Sequence, residues 1–119
     1  MEPKCRSVFF YRHYFEEFFE RQNSKVKKKI LWTLKLIEEV QLVPETYLKH
    51  LSGTDGLYEI RVQHSSDIFR VFCFFDEGKV IVAMNGFQKK TRKTPYLELM
   101  LAITIKKEYY EEKKHAQES

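Results

Sequence analysis

Three apolar runs divided by tight turn signals limit this chain more than any other feature. They read "LYEIRVQH" (57–64), "IFRVFCFF" (68–75) and "VIVAMNGF" (80–87). In the first run Tyr58, Ile60 and Val62 alternate with Glu59, Arg61 and Gln63. A period of two suits a strand with one buried face and cannot wind into an amphipathic helix. "SSD" separates the first two runs, and "DEGK" separates the second and third. Gly78 in the latter can adopt the positive φ of a hairpin turn. The expected unit is therefore a three-stranded antiparallel meander.

The flanking segments predict what covers it. "SVFFY" (7–11) reads as a short strand. "HYFEEFFERQ" carries Tyr14, Phe15, Phe18 and Phe19 at helical spacing. Asn23 and Ser24 break that helix and cap a second one, in which Val26, Ile30, Leu34, Ile37 and Val40 recur every three or four residues. It is expected to run to about Leu42 and to be stopped by Pro44. Thr94 as cap and Pro95 at the first helical position open a last helix, striped by Leu97, Met100, Leu101 and Ile105, to about Lys114. The predicted class is α+β, with the helical pair covering one face of a mostly antiparallel sheet. At 119 residues and 43% hydrophobic, the chain is expected to form one domain over 1–119 with a real core. No apolar run approaches a membrane span and no signal pattern opens the chain, so a cytoplasmic protein is expected. Cys5 and Cys73 form neither a disulfide framework nor a metal pattern, and Cys73 reads as a core thiol. His13, His50, His64 and His115 lack ligand spacing, so neither a metal nor a cofactor is expected.

The net charge of +4 is unevenly placed. Lysines cluster in "KVKKK" (25–29), which reads as a solvated helix face, and in "KKTRK" (89–93). If Ser65 and Ser66 form a two-residue hairpin loop, His64 pairs with Asp67 and Arg61 lies opposite Arg70 on one face. Opposed like charges cost on the order of 0.2–1 kcal/mol, so the pair needs a reason. Either Arg70 pairs with Glu59 or a helix acid while Arg61 faces water, or both arginines face a shared anion. The third strand lies beside Arg70 and delivers Lys89, Lys90, Arg92 and Lys93 to the rim of that face. Lys49 adds to the rim. Cations with an aromatic such as Phe87 or Tyr96 suit a phosphodiester chain whose bases stack.

"YLKHLSGTDGLYEIRV", "FRVFCFF" and "GFQKKTRKTPYLEL", from about Tyr47 to Ala102, resemble the phage-derived, HigB-like branch of the RelE/ParE toxin superfamily. The resemblance implies a type II toxin that enters the ribosomal A site and cuts mRNA without a metal, the ribose 2′-hydroxyl attacking the adjacent phosphate. By position, Arg61 then matches a residue that binds RNA backbone, and Arg70 the arginine that stabilises the charged transition state. Lys89 and Lys90 fall where the family keeps its last catalytic or RNA-binding residues, and Lys93 and Thr94 belong to its K-T-P signature. Better-known members place a His or Tyr near the end of the last strand, where this chain has Phe87 and Gln88. Glu59, a lysine among Lys89 and Lys90, and Tyr96 are the candidates for the general base. The implied partners are a cognate antitoxin, often a helix-turn-helix protein, together with mRNA and the ribosome. The other function class is a non-catalytic one: a ParE-like inhibitor of DNA gyrase, or a repurposed binding module.

Overall fold

The computed structural model describes residues 4–118; Met1 to Pro3 and Ser119 lie outside the described residues. The chain runs β1 (Ser7–Phe10), α1 (Tyr14–Glu20), α2 (Ser24–Glu39), β2 (Leu48–His50), β3 (Leu57–His64), β4 (Asp67–Phe75), β5 (Val80–Lys89) and α3 (Tyr96–Glu118). These strands form one sheet in the order β1-β5-β4-β3-β2. β3, β4 and β5 are the expected antiparallel meander, and β1 joins the far side of β5 in parallel. This is the α+β architecture that the alternating runs and the family resemblance predict.

Two packed layers of side chains hold it. On one face, Phe15 and Phe18 of α1 and Val26, Ile30, Leu34 and Ile37 of α2 meet Ile60, Val62, Val71 and Cys73. On the other, Ala102 and Ile105 of α3 meet Leu57, Phe72, Phe74, Val82 and Met84. Cys73 is fully buried, and burial pushes its thiol far above the ordinary thiol value, as befits a core residue.

The boundaries differ from the sequence reading in four places. α2 ends at Glu39, not near Leu42, so Pro44 does not terminate it. Val40 is already extended, and the Arg6 guanidinium donates to the carbonyls of Ile37, Val40 and Gln41, satisfying the groups a helix end leaves open. The short edge strand β2 was not foreseen, because "LKH" is too brief to show a period; it pairs with β3, placing Lys49 opposite Glu59. β5 runs on to Lys89, since pairing with β4 continues through Phe69↔Gln88 and Ile68↔Lys89. α3 starts at Tyr96 and extends to Glu118, with the Pro95 carbonyl accepting from the Leu99 N–H at 3.0 Å.

One irregularity decides which side chains reach the site. Between Val71↔Gly86 and Cys73↔Ala83 the β4–β5 register shifts by one residue. Before this bulge Val82 and Met84 face α3; after it Phe87 does, and Gly86 turns toward α1. A Cβ on Gly86 would stand 2.6 Å from Cδ2 of Phe18, so only glycine lets α1 approach that closely. Without the extra residue, the alternation would send Phe87 and Lys89 to the opposite side of the sheet.

Candidate functional site

The β3–β4 hairpin closes as the sequence requires. Ser65 takes φ 55° in the loop, His64 pairs with Asp67, and Arg61 stands directly opposite Arg70. Both arginines point to the face that α3 covers further along the sheet. Glu59, two residues before Arg61, points the same way and is 3% exposed. Its Oε1 lies 3.9 Å from Arg61 Nε and its Oε2 3.8 Å from Arg70 Nε. The carboxylate thus sits between the two guanidiniums. Arg70 pairs with Glu59, as the first alternative had it, but Arg61 does not simply face water: it lies near the same carboxylate and lines a cleft with Arg70.

The arrangement is incompletely satisfied. Glu59 Oε2, Arg61 Nε and Arg70 Nε are all buried without a hydrogen-bond partner. Arg70 Nη1 donates to its neighbour's carbonyl, Phe69 O, at 3.1 Å, and Arg61 Nη1 reaches Glu45 O at 3.4 Å. Burial first, then the nearby Arg61, holds the Arg70 guanidinium below its ordinary value, against the opposite pull of Glu59. Two cations and one anion leave one excess positive charge in a poorly solvated position. An incoming anion would be the natural counter-charge.

Two clefts open on either side of Arg70. One, about 410 Å³, is lined by Lys29, Thr46, Tyr47, Arg61, Val62, Gln63 and Arg70. The other, about 510 Å³, is lined by Ile68, Arg70, Lys89, Lys90, Thr91 and Arg92. Arg70 is therefore shared, and the basic loop after β5 walls the second cleft. Thr91 Oγ1 donates to the Lys93 carbonyl at 3.1 Å, which ties the loop into a turn while the Lys93 side chain stays exposed. A further cleft of about 500 Å³ lies elsewhere, between Asp55 and α3, where Lys106 is engaged by Asp55.

The remaining candidates sit differently. Phe87 pairs with Arg70 across the sheet but is only 8% exposed and packs on Phe72 at 5.4 Å. Its ring belongs to the core, which corrects the expectation that it offers a stacking surface. Tyr96 opens α3 at 70% exposure and lines neither of the clefts at Arg70. Lys49 is exposed on the edge strand and also lines neither. Lys29 and Tyr47 are the residues that sequence reasoning missed. Lys29 lay inside a run that reads as a solvated helix face, and no local pattern ties either residue to Arg61, since only the fold brings α2 and the segment before β2 to that edge.

Among the described residues, no group of three or more His, Cys, Asp or Glu side chains is placed to hold a metal ion. No helix there is long and apolar enough to cross a membrane. No curated protein matches the chain. Residues 17–107, from within α1 into α3, match the family model described as phage-derived protein Gp49-like. The chain belongs to this phage-derived Gp49-like family, a family of RelE-like toxins whose members imply an antitoxin partner.

Proposed function

We propose that the protein is the toxin of a type II toxin–antitoxin system that cuts mRNA on the ribosome and so arrests translation in the cytoplasm. The observation that carries this reading is Arg70, a nearly buried guanidinium whose Nε makes no hydrogen bond and which is shared by two cation-lined clefts. In the proposed reaction the ribose O2′ attacks the adjacent phosphorus and the P–O5′ bond breaks. The products are a 2′,3′-cyclic phosphate and a 5′-hydroxyl. The O2′ proton passes to a base, and O5′ takes up a proton as it leaves. Negative charge grows on the equatorial oxygens, where Arg70 and Arg61 would meet it; one such preorganised donor is typically worth about a hundred-fold or more in rate. Of the base candidates, Lys89 and Lys90 line a cleft with Arg70, whereas Glu59 lies beneath the arginines and Tyr96 lies outside. The cognate antitoxin, in this reading a helix-turn-helix protein, would neutralise the toxin.

One observation favours a second reading. Among the described residues, neither cleft at Arg70 is lined by a histidine or a carboxylate, the commonest proton acceptors. A ParE-like inhibitor of DNA gyrase, or a repurposed binding module, would need none. Cell-free translation separates the two. Messenger cut at ribosome-bound codons by the wild type, and not by a folded Arg70→Ala variant, supports the ribonuclease. Intact messenger together with inhibited DNA supercoiling would replace it with the gyrase reading.

A further inference from the structure

The cleft between α2 and the β3 edge differs from the loop-side cleft in having an aromatic wall. Tyr47 lines it with Lys29, Arg61 and Arg70. The Arg61 N–H donates to the Tyr47 carbonyl at 2.8 Å, so the tyrosine backbone is fixed to the sheet beside the arginines. Trp32, 47% exposed on α2, meets the Tyr47 ring in a T-shaped contact at 5.7 Å. Lys29 Nζ lies 4.1 Å from the Trp32 ring centroid, a cation–π contact that holds the amine at the mouth of the cleft.

We infer that this cleft is a nucleotide subsite for single-stranded RNA, in which the Tyr47 ring stacks one base while Lys29, Arg61 and Arg70 take the phosphate attached to it. The inference rests on the RNA-directed reading above and deepens it. The residue types are those that bind single strands: cations along the backbone and a rigid ring for a base. The volume of about 410 Å³ lies within the usual range for small-ligand pockets. Thr46 and Gln63, also in the lining, supply polar groups for a base edge. Arg61 Nε and Arg70 Nε are turned toward Glu59 without hydrogen-bonding it, so one carboxylate serves two guanidiniums and leaves an excess positive charge for a phosphate. With Phe87 in the core, Tyr47 takes the stacking role for which the sequence offered Phe87 and Tyr96.

Trp32 is the only tryptophan in the chain, so its fluorescence reports directly on this site. The probe is a short single-stranded oligoadenylate with a terminal fluorophore, titrated at low salt and read both by anisotropy and by tryptophan emission. Binding should change Trp32 emission. Tyr47→Ala should weaken binding by about tenfold, whereas Tyr47→Phe, which keeps the ring, should bind like the wild type. Circular dichroism melting checks that each variant is folded. A Lys89→Ala/Lys90→Ala variant should bind more weakly yet show the same emission change at saturation. Oligonucleotide binding that depends on Lys89 and Lys90, with unaltered Trp32 emission and full affinity in Tyr47→Ala, would overturn the subsite and leave the RNA reading intact. No binding by the wild type would overturn the subsite, while the ribonuclease reading stands or falls separately on messenger cleavage in cell-free translation.

Discussion

Glu59 is the residue on which the cationic face depends. Arg61 and Arg70 are opposed across an antiparallel pair, and each lies within 4 Å of that one carboxylate, at 3.9 and 3.8 Å. Removing the carboxylate leaves two guanidiniums facing each other across the strand pair, that of Arg70 nearly buried. Removing Arg70 instead leaves Glu59 with Arg61 and abolishes the repulsion. The two truncations are therefore unequal. Glu59→Ala should destabilise the domain by about 3–5 kcal/mol, the usual cost of breaking a buried ion pair. Arg70→Ala should cost clearly less and leave a folded protein without toxicity. Urea unfolding of both variants gives the order, and a lower midpoint for Arg70→Ala than for Glu59→Ala would make Arg70 a structural residue first.

At the scale of elements, α3 packs on the meander through its apolar layer, and its C-terminal half is tied down by one acid in the β4–β5 turn. Asp76 accepts from Tyr109 Oη at 2.5 Å, from Tyr110 Oη at 3.3 Å and from Lys113 Nζ at 2.8 Å. Arg12, whose φ is 54°, adds ion pairs to Glu108 and Glu112 near the same end of the helix. Burial alone would raise the Asp76 carboxyl, but the bonds from Lys113, Tyr109 and the Glu77 backbone outweigh it and hold the group below its ordinary value near 3.8. A depressed acid contributes stability that is present above the unfolded value and is lost as pH falls through the folded one. The docking of α3 should accordingly weaken only in the acid limb, below about pH 4. Thermal melts across that range should fall less steeply for Asp76→Asn than for the wild type. Parallel acid limbs would show that Asp76 does not fasten the helix through its charge.

For the whole molecule, the relevant quantity is where the cations stand, since a net charge of +4 on 119 residues is modest. Lys89, Lys90 and Arg92 wall one cleft, and Lys29 and Arg61 another, with Arg70 between them. A polyanion lying along this edge would release counterions in proportion to the phosphates it contacts. Changing Lys89 and Lys90 to Ala should weaken binding to single-stranded RNA. It should also flatten the plot of log affinity against log salt by about 1.4, at roughly 0.7 per phosphate contact. An unaltered slope would return "KKTRK" to the status of a solvated loop.

The sequence by itself determined the strands of the meander, the pairing of Arg61 with Arg70 and the capping of α2 by Asn23, whose Oδ1 accepts from the Val26 N–H at 2.9 Å. Each of these is local: a period of two, a two-residue loop that sets register by counting, and a side chain three residues from its partner. Only the tertiary structure decided the rest. A bulge opposite Phe72 turned Phe87 into the core and Lys89 toward Arg70, and a bulge carries no period of its own to read. The placing of Glu59 between both arginines needed the side chains' reach as well as their register. Tyr47 and Lys29, each touching Trp32, share a cleft with Arg61 only because α2 packs across β3 and a three-residue edge strand draws Tyr47 alongside, and such long-range contacts leave no mark in a linear pattern.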